Sequence, residues 1–401
     1  MKIQSIRLVN YKGIEDKELF FNERMTVLIG DNGTGKSSFL DAISICLGTI
    51  LSQTGAPFGI RGSKHRPLLE EEVQKVIISS DHIAYKDVLL EGCVISGNRE
   101  IDWKRAQHRT SKSLNLTAAK GLVEIGTSIT NHVDKDAHLP IFLYRSMARS
   151  SDELSRDIQL CSRLDGYHMC LDPQNYVCTA LPSDEDKSLD VYKDALTSIL
   201  PEWKDLQFHE ELGEPIVQKE DGSWLPFSNL SESYRGIINL VVDIVCRAIT
   251  LNPHMGSDVL KETEGVVLID DIDTHLHPNM QRGIIDRLKT TFPKIQFIAT
   301  THSPFIVQSL KANEVFNLDG NQIDEHPDTM SLEKIALFMG AESVESKAFH
   351  QKEKIAVRFV RGIVAEEEDE ETDLAQLIKH TDDPVFKAKL ELARLAKLHS
   401  K

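Results

Sequence analysis

Cysteine is scarce and scattered in this chain. The six cysteines, Cys46, Cys93, Cys161, Cys170, Cys178 and Cys246, include no Cys-x-x-Cys pair. That spacing argues against a zinc site or a disulfide framework. Cys46 and Cys246 fall among apolar residues in predicted helices, as reduced, buried thiols do. No apolar run approaches the ~20 residues needed to cross a bilayer. Met1 leads at once into the strand-like Ile3-Gln4-Ser5-Ile6-Arg7-Leu8, leaving no room for a signal peptide. The expected location is the cytoplasm, with no membrane partner. Positive charge is also in deficit, 46 basic against 62 acidic residues for a net charge of -16. This disfavours a surface broadly attractive to nucleic acid and leaves room only for a local basic groove. Sustained heptads are missing, which excludes long coiled-coil arms. What remains is an ordinary globular composition, 401 residues with 41% hydrophobic, enough for one large domain or two.

Against that background one stretch stands out, Gly30-Asp31-Asn32-Gly33-Thr34-Gly35-Lys36-Ser37-Ser38. It fits the pattern of Gly, four residues, then Gly-Lys-Ser/Thr. The preceding Met25-Thr26-Val27-Leu28-Ile29 reads as a buried strand, and the apolar residues after it recur at helical spacing. The motif therefore lies at a strand-to-helix turn, where glycines let backbone amides face a polyphosphate and the helix N-terminus adds partial positive charge. Lys36 is placed to reach the β and γ phosphates and the Ser37 hydroxyl to ligate magnesium, which makes ATP and Mg2+ the expected ligands.

Further along, Leu230-Ser231-Glu232-Ser233-Tyr234-Arg235 precedes a strongly apolar helical stretch, with Ser231 or Ser233 suited to cap it. Gly265-Val266-Val267-Leu268-Ile269-Asp270-Asp271 is an apolar strand ending in two carboxylates. Asp270 suits the magnesium shell, and Asp271 suits orienting or deprotonating the attacking water. A second buried strand runs into Thr300-Thr301-His302-Ser303, with His302 placed to sense the γ phosphate. His275 and His277 flank Leu276 without a third ligand at suitable spacing, so a structural or interface role is expected. Alternating strands and helices imply an α/β fold with a mostly parallel sheet and its ligand at the strands' carboxyl ends.

The expected organisation is the first half of a nucleotide-binding lobe over residues 1–53, a mixed lateral insertion over 54–228 and the second half over 229–318. A helical region over 319–365, an acidic linker over 366–373 and a helical tail over 374–401 follow. Within the insertion, strands are expected at Val88-Leu89-Leu90 and Pro140-Ile141-Phe142-Leu143-Tyr144, and a helix over 190–200. Trp103-Lys104-Arg105, continuing to Arg109 and Lys112, combines an aromatic with cations. It reads as a solvated hairpin end, with nucleic-acid contact as the alternative. The apolar stripe of the tail needs cover, either its own core or another protein.

These motifs together resemble the ABC-type ATPases related to RecF and the overcoming-lysogenisation-defect proteins, specifically the PtuA-like ATPases of Septu and retron anti-phage systems. The wider resemblance rests on the phosphate loop, the Ser231 segment, Ile269-Asp270-Asp271-Ile272-Asp273 with His275-Leu276-His277-Pro278, and Thr301-His302-Ser303-Pro304. The narrower one rests on Leu143-Tyr144 with Arg149, Arg163-Leu164-Asp165-Gly166-Tyr167 with Cys170-Leu171-Asp172-Pro173, the short lateral region and the helical tail. The resemblance implies an ABC-type P-loop ATPase head acting as a head-to-tail dimer, in which ATP at one subunit's Lys36 is closed over by the other's Ser231 segment. It also implies a partner, an HNH nuclease of the PtuB type, restrained while nucleotide is bound, with DNA met in the complex. Two departures stand out: Asp271 where such proteins usually carry Glu, which suggests slow hydrolysis, and Ser233 where the signature usually has Gly. The roughly eighty residues after Asp319 are few for a nuclease domain of its own. The alternatives are a RecF-like DNA-binding repair ATPase and a non-hydrolysing scaffold that oligomerises with ATP.

Overall fold

Three mostly apolar runs, Met25–Ile29, Gly265–Asp270 and Ile295–Thr300, are buried along almost their whole length. Strands apolar on both faces belong in the middle of a parallel sheet, and that is where the computed structural model places them. It describes residues 1–55, 72–79, 82–107, 119–132, 136–147, 162–173, 188–209, 211–320 and 325–341. The acidic linker, the helical tail, Arg109, Lys112 and Arg149 lie outside the described residues. The chain divides into two compact units, Met1–Gly340 and Ala341–Lys401.

In chain order the first unit carries β1 (Lys2–Tyr11), β2 (Ile14–Phe20), β3 (Met25–Ile29), α1 (Lys36–Leu51), β4 (Lys75–Ser79), β5 (His82–Tyr85), β6 (Val88–Ser96) and β7 (Arg99–Gln107). Then come α2 (Lys120–Asn131), β8 (Ile141–Ser146), α3 (Leu189–Ile199), β9 (Trp203–His209), β10 (Glu214–Lys219), β11 (Trp224–Pro226) and α4 (Glu232–Leu251). The last are α5 (Val259–Glu262), β12 (Gly265–Asp270), α6 (Pro278–Thr291), β13 (Ile295–Thr300), α7 (Pro304–Gln308), β14 (Val315–Asn317) and α8 (Leu332–Phe338). Among the described residues no helix is long and apolar enough to cross a membrane.

The central sheet has the order β14-β3-β13-β12-β8, with every pair parallel. An antiparallel sheet, β2-β1-β6-β7, and a small one, β11-β10-β9, accompany it. The expected strand at residues 140–144 is present as β8. It comes from within the stretch expected to be lateral, yet it forms an edge of the central sheet, with Ser146 in register with Asp270. Its outer side is covered by the 163–173 segment, because Tyr144 N–H donates to the Cys170 carbonyl at 2.8 Å and Ser146 N–H to that of Pro173 at 3.2 Å. A covered edge cannot pair with another chain.

The cationic segment at 103–105 differs from both readings offered for it. Strand alternation in β7 turns Trp103 and Arg105 inward and Lys104 outward. Trp103 and Arg105 are buried, and Arg105 Nη1 donates to Thr49 Oγ1 at 2.7 Å in α1. Burial pushes the Arg105 pKa down to about 10. Lys104 instead pairs with Glu91 on the neighbouring strand at 3.5 Å. The aromatic and one of the cations thus serve hairpin-to-helix packing.

Beneath the sheet lies a fully buried ionic group. Arg145 of β8 and Arg247 of α4 share the Asp243 carboxylate of α4, and none of the three side chains has any solvent exposure. The guanidiniums also donate to carbonyls, Arg145 to Asp172 at 2.9 Å and Arg247 to Gly166 at 2.7 Å. β8, α4 and the 163–173 segment are thereby joined at one point. Removing one member of a buried ionic group costs far more than the group contributes, since the remaining charge loses its partner. Asp243→Ala is expected to lower stability by about 3–5 kcal/mol, measured by urea unfolding.

Candidate functional site

The phosphate loop follows β3 directly, and its glycines are where the backbone demands them. Gly30 has φ +146°, and a Cβ there would lie 2.8 Å from Thr34 Oγ1 and 3.1 Å from Asp319 Oδ2. Gly35 has φ +96°, and a Cβ there would meet Ile14 Cδ1 at 3.0 Å. Both positions therefore exclude a side chain. Gly35 is also the N-cap of α1, with no side-chain cap, so the helix's first amides stay free for an anion. Asn32 and Gly33 at the tip are exposed and Ser38 is half-buried, while Thr34 Oγ1 donates to the Asp31 carbonyl at 2.9 Å.

Lys36 is buried and donates from Nζ to the carbonyls of Gly30 at 2.8 Å and Asp31 at 3.0 Å. Burial lowers its pKa, and Asp271, Asp319, Asp270 and Asp31 oppose that by favouring the cation. Four carboxylates around one buried ammonium give a site whose charge balance depends on what else binds there.

Ser37, Asp270, Asp271 and Thr300 come together at the carboxyl ends of β12 and β13. Ser37 Oγ donates to Asp270 Oδ1 at 3.0 Å, and Thr300 Oγ1 donates to the same oxygen at 2.6 Å. Thr300 Oγ1 in turn accepts from the Asp271 N–H at 2.8 Å. One hydroxyl thus orients both carboxylate residues. Burial raises the Asp270 pKa and the nearby Asp271 charge adds to this, while the hydrogen bonds from Thr300 and Ser37 work against it. Asp271 has φ +54°, a left-handed conformation that Asp tolerates better than most residues. The Ser37 hydroxyl and Asp270 carboxylate are hard oxygen donors at one point, the type of donor set that magnesium accepts.

His302 is exposed, and its turn is held by Asp273, whose Oδ1 accepts from the His302 N–H at 3.2 Å and from the Thr301 hydroxyl. Ser303 caps α7 through its side chain. His277 caps α6, its Nδ1 accepting from the Asn279 N–H at 3.3 Å. His275 Nδ1 lies 3.3 Å from Glu232 Oε2.

Ser231 occupies the N-cap of α4 in extended conformation, yet its side chain makes no capping bond. Ser233 does not cap either, since its hydroxyl donates to the His275 carbonyl. Among the described residues no hydrogen bond joins Ser231 or Ser233 to the phosphate loop of the same chain.

Thr300, Asp273 and Asp319 escaped sequence reasoning. Asp319 Oδ2 accepts from the Asp31 N–H at 2.9 Å, across 288 residues of chain, and nothing local signals that contact. Thr300 and Asp273 do stand inside the recognised motifs, Thr300 at the end of buried β13 and Asp273 in the turn after β12, so their polar side chains there were the available signal.

Replacing Asp270 by Asn keeps an acceptor oxygen for Ser37 and Thr300 but removes a half-buried charge. Because the native state binds that proton more tightly than the unfolded chain does, stability contributed here falls as pH rises from the ordinary Asp value through the raised one. Asp270→Asn is therefore expected to match or exceed the native melting temperature at pH 7, measured by thermal unfolding.

Comparison with known proteins follows the same residues. A family profile described as "AAA domain, putative AbiEii toxin, Type IV TA system" matches residues 25–308, from β3 to the end of α7. The Retron Ec83 probable ATPase of Escherichia coli is 25% identical, over 80% of this chain and 72% of that protein. Septu protein PtuA of Bacillus mycoides is 27% identical over 80% of this chain but only 41% of that protein, and PtuA of Bacillus thuringiensis 23% identical over 81% and 77%. Among solved structures, an SMC head bound to the C-winged helix domain of ScpA aligns with TM-score 0.49 at 16% identity, over 79% of this chain and 94% of that one. The chain thus belongs to the family described as AAA domain, putative AbiEii toxin, Type IV TA system, and over four-fifths of its length it is similar to proteins named retron probable ATPase and Septu protein PtuA.

Proposed function

We propose that this chain binds ATP with Mg2+ and hydrolyses it slowly, as the nucleotide-responsive regulatory subunit of an anti-phage defence complex. In that complex it restrains and positions a partner HNH nuclease of the PtuB type and does not itself cut nucleic acid. The observation that carries the catalytic part is the convergence of Lys36, Ser37, Asp270, Asp271 and Thr300 at one sheet edge. The defence setting rests on relatives named Septu protein PtuA and retron ATPase. Location in the cytoplasm accords with the scattered, reduced-type cysteines.

In this reading the phosphate-loop amides and the N-terminus of α1 hold the polyphosphate, and Lys36 turns from the loop carbonyls to its β and γ phosphates. Ser37 and Asp270 would hold magnesium, which supplies neutralisation of phosphate charge when bound. Asp271 orients the attacking water and accepts its proton, and His302 contacts the γ phosphate from the neighbouring strand end. Ser231, uncapped and exposed at the start of α4, closes over the nucleotide of a second subunit in a head-to-tail dimer. The same role would fall to Ser233 only after it releases the His275 carbonyl.

Slow turnover follows from reach. An Asp carboxylate sits about 1.5 Å further from the water than a Glu would, and proton transfer needs hydrogen-bond contact. A repair ATPase that grips DNA through the 103–105 segment is the weaker reading, because Trp103 and Arg105 are committed to packing.

Lys36→Ala is expected to abolish ATP retention in equilibrium dialysis. Asp271→Glu should raise steady-state turnover about tenfold and Asp271→Asn lower it at least as much. Unchanged turnover in Asp271→Asn would instead favour a non-hydrolysing scaffold. For the partner, co-purification with the neighbouring gene product, with and without ATP, should yield a complex that cleaves DNA only when ATP is low. DNA gripped by the isolated chain in the presence of ATP, with nothing co-purifying, would replace this reading with the repair type.

A further inference from the structure

Two adjacent residues of β8 reach opposite helices. Tyr144 sends its hydroxyl to Asp41 of α1, donating to Oδ1 at 3.2 Å. Arg145 sends its guanidinium the other way, to Asp243 of α4, with Nε 2.7 Å from Oδ2. Alternation along a strand explains the split, because neighbouring side chains leave opposite faces of the sheet. The next residue, Ser146, is paired in register with Asp270.

The two helices have distinct positions in the site. α1 begins at Lys36 and Ser37, the residues assigned above to the nucleotide held by the same subunit. α4 begins beside Ser231, the segment assigned above to the nucleotide of a second subunit. From α1 the contact continues outward, since Asp41 also accepts from Lys12 Nζ. From α4 it continues through Asp243 to Arg247 and the carbonyls of Gly166 and His168. Every side chain of the Tyr144, Arg145, Asp243 and Arg247 series is buried. Asp41 is only half-buried, so the link from α1 to β8 is the Tyr144 hydroxyl itself, and a displacement of α1 that moves Asp41 acts through that hydrogen bond on the strand whose next residue holds Asp243.

We propose that Tyr144 and Arg145 are positioning residues that couple occupancy of a subunit's own phosphate loop to the placement of its own signature segment around Ser231. The subunit would thereby present Ser231 to a partner only when it carries nucleotide itself. This rests on the ATP-binding reading above, but the coupling is internal to one subunit and can be read without a dimer.

The test is hydrogen exchange on the full chain carrying Ser231→Arg, which blocks closure over a second nucleotide. Mg2+-ATP is expected to change the exchange rate of amides 232–240 by about fivefold, within the usual range of coupling between sites. Adding Tyr144→Phe, which removes one hydroxyl and keeps the ring, should abolish that change while α1 amides 36–42 still respond to ATP. Asp41→Ala should act like Tyr144→Phe, and matched urea midpoints would exclude a folding defect. A response in α4 that persists in both variants overturns the coupling, as does no α4 response in Ser231→Arg with Tyr144 intact. If α1 itself fails to respond to ATP, the nucleotide-binding reading fails and the coupling falls with it. ATP-driven dimerisation of the native chain, followed by light scattering, tests the dimer separately.

Discussion

The half-buried Asp270 carboxylate, held by two hydroxyls, is the constraint on which the rest of the site depends. An ionised carboxylate at a sheet edge is costly to bury and needs donors on every accessible lone pair. Ser37 supplies one from the phosphate-loop helix and Thr300 another from the adjacent strand. Because the two donors and their acceptor come from three separate parts of the chain, satisfying Asp270 draws the start of α1 and the ends of β12 and β13 to one place. Thr300 also fixes the Asp271 backbone, so the two carboxylate residues cannot be oriented independently. The raised pKa of Asp270 is the electrostatic signature of that burial, and a divalent cation would relieve it.

A second buried charge group works on a different link of the chain. Arg145, Asp243 and Arg247 contribute little net stability compared with a well-packed apolar substitute, yet they fix which residue of β8 faces which residue of α4. Apolar side chains at those positions would tolerate a slip along the helix, whereas a shared carboxylate with defined donors does not. The outcome is an edge strand held in register with Asp270 on one side and sealed by the 163–173 segment on the other.

Much of the site was legible locally. The phosphate loop, the Asp270–Asp271 pair and the turn at His302 each follow an apolar strand, and their chemistry depends on residue types within a few positions. The structural or interface role expected for His275 and His277 accords with a helix cap and a contact to Glu232. Other features were illegible for a physical reason. Trp103 and Arg105 looked like a solvated or nucleic-acid-binding pair, since composition cannot say which face of a strand is covered. Ser231 and Ser233 looked like equivalent caps for α4, but Ser233 spends its hydroxyl on a carbonyl 42 residues away and neither caps the helix.

The sequence by itself determined the strand-loop-helix of residues 25–51, the two apolar strands that end in functional groups, and the residue types able to hold a nucleotide and a metal. These follow from local sterics and periodicity, which act over a few residues. Only the tertiary structure decided that β8 closes the central sheet, that Asp319 reaches back to Asp31, that Thr300 serves both carboxylate residues, and that one arginine pair shares Asp243. Each of those depends on contacts between distant segments, where the deciding quantity is the satisfaction of buried polar groups across the whole fold.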